Sequence, residues 1–84
     1  MLVLIDDIKM RDEGEFLSYI NTTFADKEIT DLDMLYDYLL QTDKEIELLV
    51  SDYNEIEDKT YAAQVLKTLT LARDARANIK LTMM

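Results

Sequence analysis

The chain has no cysteine, histidine, proline or tryptophan, and a single glycine, Gly14. Without cysteine there is neither a disulfide framework nor a thiolate zinc site, and nothing points to an oxidising compartment. Without histidine, imidazole acid/base chemistry, Ser-His and Cys-His nucleophiles and the commonest metal ligand are all excluded, so an enzyme is not expected. One glycine cannot build a phosphate-cradling loop, which leaves nucleotide binding unsupported. Positive charge is scarce as well: 9 Lys and Arg stand against 18 Asp and Glu, for a net charge of -9 at pH 7. That sign disfavours nucleic acid and anionic membrane surfaces. A basic protein would feel the opposite force, with a faster association. The plain alternative is that the charge serves solubility alone. Long hydrophobic runs are also missing. Leu2 to Ile5 is four apolar residues ended by Asp6 and Asp7, far short of a signal-peptide core or a membrane span, and a cytoplasmic protein is expected.

What is present is 84 residues, 49% of them apolar, enough for one domain over 1–84, since a second core would need roughly 50 residues more. The apolar run Leu2-Val3-Leu4-Ile5 predicts a first strand buried on both faces. Asp12 followed by Glu15 is a helix-start signature, and Phe16, Ile20 and Phe24 then recur every fourth residue as the core stripe of an amphipathic helix. Thr30 and Asp33 repeat the capping pattern before a second helix, whose Leu32, Leu35 and Leu39 share one side. Ile46, Leu48 and Val50 alternate with Glu47, Leu49 and Ser51, as in a strand. Asp52 to Asp58 reads as a loop or one short helical turn. From about Thr60 to Arg76, the set Tyr61, Ala62, Val65, Leu66, Leu69 and Ala72 lines one face of the longest helix, with Arg73 and Arg76 where cations favour a C-terminus. Ile79, Leu81 and Met83 alternate as a closing strand.

Strands separated by helices imply crossovers and therefore a parallel sheet. The expectation is a small two-layer α/β domain with three parallel strands packed by helices; the strand order is open at this stage.

Asp31, Asp33 and Asp37 lie close in sequence, but the glycine and ligand spacing of a calcium loop are absent, so neither a metal nor any cofactor is expected. Two Asp one turn apart on an exposed helix also lack the cleft walls that acid/base catalysis needs, so no catalytic residue is assigned. Asp33, Tyr36, Asp37 and Leu40 follow the i, i+3, i+4, i+7 rule on roughly the side opposite the leucines. Like charges at i, i+4 cost about 0.2–0.5 kcal/mol, and the helix dipole offsets this for Asp33 more than for Asp37. An acid pair around an exposed Tyr and Leu therefore looks like a contact surface, because Tyr is enriched where partners are gripped. An ordinary solvated helix face would carry the same residues.

The block Asp31-Leu32-Asp33-Met34-Leu35-Tyr36-Asp37-Tyr38-Leu39 resembles the second-helix signature of the barstar family, Asn-Leu-Asp-x-Leu-Trp-Asp-x-Leu, the small intracellular inhibitors of barnase-type ribonucleases. The order of strand, Phe16/Ile20/Phe24 helix, block, apolar strand, long helix and closing Ile79-Lys80-Leu81 strand is similar along essentially the whole chain. The resemblance implies that this helix and the loop before it enter a ribonuclease active site, where acids stand in for substrate phosphates. Asp33 and Asp37 match the two contact acids, Asp37 the one in the phosphate site, and Tyr36 matches the contact Trp. The expected partner-binding set is thus Asp33, Tyr36 and Asp37, with Leu40, Asp31 and Thr30 beside them. Three positions depart from the pattern. The loop Lys27-Glu28-Ile29-Thr30 lacks the Tyr-Tyr-Gly-x motif, and two acidic contacts late in the long helix fall at Leu71 and Ala75. Leu71, with Gln64 and Thr68 on an outer face, marks either a changed partner surface or an isolated exposed Leu.

The resulting expectation is an intracellular inhibitor that occludes the active site of a small basic, extracellular-type ribonuclease. The alternative is a module of the same fold that binds another basic protein. The charge, and the lack of a continuous apolar stripe outside the core, predict a monomer when alone.

Overall fold

In the computed structural model, which describes residues 1–84, the chain runs β1 (Leu2–Ile5), α1 (Asp7–Met10), α2 (Glu13–Thr23), α3 (Leu32–Gln41), β2 (Ile46–Val50), a 3-10 turn (Tyr53–Glu55), α4 (Thr60–Ala75) and β3 (Ile79–Met83). The strands form one parallel sheet in the order β1-β2-β3. The expected α/β architecture with three parallel strands packed by helices is what the chain adopts.

The strand order explains which side of the sheet is covered. It steps in the same direction twice, so two crossovers of the usual right hand lie on one face. Burial follows that geometry: Val3, Ile5, Ile46, Leu48, Val50 and Ile79 are buried on the helix side. On the other side the rows Leu2–Glu47–Lys80 and Leu4–Leu49–Thr82 face outward. Leu2 is 57% exposed and Leu4 48%. The expected burial of β1 on both faces is therefore wrong. Continuous hydrophobicity signals a doubly covered strand only when helices flank the sheet on both sides, and here they do not. The same face corrects the premise that no apolar stripe lies outside the core.

The starts of α1, α2 and α3 are capped by aspartates. The Asp12 carboxylate accepts the Glu15 N–H at 2.9 Å, as its spacing predicts, and α2 buries Phe16 and Ile20, with Phe24 buried just past its last residue. Asp6 does the same for Lys9 at 3.1 Å, starting the one-turn α1 that periodicity could not reveal. Before α3 the cap is Asp31, which accepts the Met34 N–H at 2.8 Å, and not Thr30, whose hydroxyl turns to the Met34 sulfur at 2.9 Å. Both residues have cap chemistry; the carboxylate is the better match to the helix dipole. At α4, Leu69, Val65, Ala62 and Ala72 are buried, whereas Tyr61 and Leu66 are half-buried. The polar stretch 52–58 holds the 3-10 turn, entered through Asp52 at φ 59°.

Candidate functional site

The α3 helix is fixed from behind before it presents anything in front. Leu35, Tyr38 and Leu39 are buried in the core, and Phe24 stacks on Tyr38 with centroids 4.8 Å apart. At its C-terminal end the last carbonyls, which no helix can satisfy internally, find partners near the end of α4. The Arg76 guanidinium donates to Leu40 O and, at 3.2 Å, to Thr42 O. Asn78 Nδ2 adds bonds to Thr42 O at 3.0 Å and Lys44 O at 2.8 Å. A cation placed there also favours the negative end of the helix dipole.

The loop leading into α3 is held as firmly. The Asn21 amide closes a reciprocal pair with Ile29: Asn21 Nδ2 donates to Ile29 O and the Ile29 N–H donates to Asn21 Oδ1, both at 2.7 Å. The Ile29 side chain is buried. A second latch joins the loop to α3 itself. Tyr38 donates its hydroxyl proton to Asp26 at 3.0 Å and accepts from the Lys44 ammonium at 3.3 Å. The Tyr38 hydrogen bond, helped by Lys44, holds the Asp26 carboxyl below its ordinary range. Lys44 is pushed up, first by its bond to Tyr38 and then by the charge of Asp26.

On the front, Asp31, Asp33 and Asp37 are exposed, and Tyr36 and Leu40 are half-buried. Tyr36 packs against the edge of the core, so the ring and the leucine are less free than the helical wheel suggests. Thr30 is exposed. The ion pairs of the chain are Arg11–Asp7, Lys44–Asp26 and Arg73–Asp74; none involves the α3 acids. An open groove beside Asp33 is lined by Glu13, Asp31, Leu32, Asp33, Tyr61 and Gln64. It joins the N-terminal ends of α2, α3 and α4 into one acidic surface. Within it the Tyr61 hydroxyl is buried without a hydrogen-bond partner, and burial, reinforced by Glu13 and Asp12, pushes its pKa up to about 12. No group of three or more acids is placed to hold a metal ion.

The structure thus brings Asp31 and Asp33 to one groove. Asp37 lies a turn further along the same helix, and Thr30, directly before the Asp31 cap, does not line the groove. Leu71 is 47% exposed, and its spacing from Gln64 continues the α4 stripe that starts in the groove. Sequence reasoning missed the parts that hold this surface still: Asn21, Asp26, Tyr38, Lys44, Arg76 and Asn78. Only Arg76 carried a signal, its position at a helix end. No helix is long and apolar enough to cross a membrane. No family model matches the chain, and no curated protein matches it.

Proposed function

We propose that this protein is an inhibitory binding protein whose α3 face enters the basic active site of a small secreted ribonuclease and blocks it inside the producing cell. The observation that carries the reading is the pair Asp33 and Asp37: exposed, with no cation of the chain paired to either, on a helix clamped at its C-terminal end and along its entry loop. Unpaired acids on a rigid support can replace phosphates without first breaking internal ion pairs, and pre-organisation lowers the ordering cost of binding. The likeness of the 31–39 block to the barstar signature supports the same reading and supplies the class of partner. Tyr36 and Leu40 would contribute apolar contact beside the acids, and no catalytic group is required.

A second reading, the same fold binding a different basic protein, is favoured by Leu71, exposed where the family pattern has an acid, and by the changed loop 27–30. The experiment that separates them is capture of partners from the native cell followed by RNA cleavage with and without the protein. Inhibition that is lost in Asp37→Ala supports the first reading. Tight capture of a basic protein with no effect on RNA cleavage supports the second.

A further inference from the structure

The two edges of the sheet differ. On β1 the outward Leu4 N–H donates to the Tyr19 hydroxyl at 3.2 Å, and the Lys9 ammonium lies over that ring, 4.4 Å from its centre. That edge is closed by α2. On β3 the main chain of residues 78, 80, 82 and 84 turns toward β2: the Ile46 N–H donates to Asn78 O and the Met84 N–H to Val50 O, in the register Leu48↔Leu81. Strand parity therefore turns the N–H and C=O groups of Leu81 and Met83 outward, where no group of the chain bonds them. Such an edge is a template for another strand. Of the usual guards, proline is absent, since the chain has none. The one charge on the strand, Lys80, is the single guard left, and it lies in register with the opposite charge of Glu47 on the outer face.

We propose that β3 pairs with β3 of a second copy of this chain, antiparallel about Leu81, making one six-stranded sheet. The inference is independent of the ribonuclease reading and uses a different surface. A second copy fits because the strand is complementary to itself. With the two-fold axis at Leu81, Leu81 exchanges both main-chain hydrogen bonds with its counterpart, and each Met83 N–H meets Ile79 O of the other copy. Lys80 falls opposite Thr82, so the only charge on the strand meets a neutral hydroxyl and no like charges oppose. Elsewhere two chains of net charge -9 repel, whereas residues 79–83 carry one positive charge and no negative one. Met83, 47% exposed, is covered by the pairing. The strip is narrow, well below the roughly 800 Å² that each partner gives to a standard interface, so the pair is weak and forms at hundreds of micromolar.

Sedimentation equilibrium and amide hydrogen exchange from about 5 μM to about 1 mM test this, on the wild type and three variants. The wild type is expected to be monomeric at the low end and dimeric at the high end, with the Leu81 and Met83 amides becoming protected as concentration rises. Thr82→Glu should tighten the dimer, and Thr82→Lys weaken it, each by roughly threefold to tenfold through the two symmetric pairings with Lys80. Met83→Pro removes an outward N–H, leaves the ladder to β2 intact and should abolish dimerisation at an unchanged melting temperature. Should that variant prove destabilised, the opposed effects of the two Thr82 variants decide alone. A monomer at every concentration overturns the proposal. So does a dimer that ignores the Thr82 and Met83 changes but is lost in Leu4→Lys, which would place the contact on the outer face of the sheet.

Discussion

On α3, Asp33 and Asp37 stand in solvent without a cation partner, whereas on the outer face of the sheet Glu47 sits in register with Lys80, and Leu2, Leu4 and Leu49 surround them. The first surface is unbalanced in charge and rigidly backed; the second is balanced and mostly aliphatic. An unbalanced, pre-organised surface discriminates strongly by the sign of its partner, because the wrong charge costs several kcal/mol. A balanced aliphatic one discriminates little and associates weakly. The chain's excess negative charge is therefore unevenly placed, uncompensated on α3 and compensated on the outer face of the sheet.

The largest expected effect concerns the support of the helix rather than its acids. Leu35→Ala removes a buried side chain from the core contact of α3 and should cost about 2–5 kcal/mol of stability in denaturant unfolding. A loss below about 1 kcal/mol would mean that α3 is not anchored through that face. Asp37→Ala probes the front. It should leave the melting temperature unchanged, because the carboxylate has no internal partner, and should weaken partner binding by about 2–5 kcal/mol, the cost of leaving buried cations without a counter-charge. Glu57→Ala, an exposed acid beyond the 3-10 turn, is the control. Equal losses of binding for the two would show that only total charge matters and would erase the contrast between the helix and the rest of the surface.

Arg76→Ala lies between these extremes. It withdraws a charged donor from Leu40 O and Thr42 O, and bonds of this type contribute about 1.5–3 kcal/mol. Part of the loss returns as water reaches the half-buried carbonyls, so about 2 kcal/mol is expected. Binding should fall as well, since the helix that carries Asp37 becomes less well fixed. A variant that loses stability but binds with unchanged affinity would separate the front of α3 from its clamp.

Periodicity and caps made the strands and the three longer helices legible, because each of those signals is local. Phe16, Ile20 and Phe24 marked the buried stripe of α2, and Asp12 its start. What was not legible depends on contacts across the chain. The uncovered face of β1 follows from strand order, which four apolar residues cannot encode. The Asn21–Ile29 pair spans eight residues with no periodic signature, and the latch of Asp26, Tyr38 and Lys44 joins a loop, a helix and the approach to β2. The choice of Asp31 over Thr30 as the cap was within reach of sequence reasoning, since both residues have cap chemistry and the carboxylate is the better match to the helix dipole. For the site, the acids Asp33 and Asp37 were readable as a spacing on a helix, whereas the groove that Glu13, Tyr61 and Gln64 build beside Asp33 required the tertiary arrangement.

Tyr61 offers the finest test of how the acidic surface is built. Its ring packs edge-on to Phe16, with centroids 6.1 Å apart, while its hydroxyl is buried with no partner and faces the field of Glu13 and Asp12. A buried, unpaired hydroxyl is unfavourable, so Tyr61→Phe, which keeps the ring, should raise stability by up to about 1 kcal/mol at neutral pH. The pH dependence gives an independent sign. The folded-state pKa is raised to about 12, above the value of about 10 for an unfolded chain. Between those values the unfolded state releases the phenolic proton and the folded state retains it. The folded state is therefore favoured fully below about pH 10 and loses that advantage progressively as the pH climbs toward 12. Denaturant unfolding at pH 7 and at steps above pH 9 should show Tyr61→Phe slightly ahead at neutrality and further ahead in alkali, since phenylalanine has no proton to lose. If the wild type is the more stable of the two at pH 7, the hydroxyl has a partner after all, and the groove beside Asp33 is a packed polar contact rather than an open acidic surface.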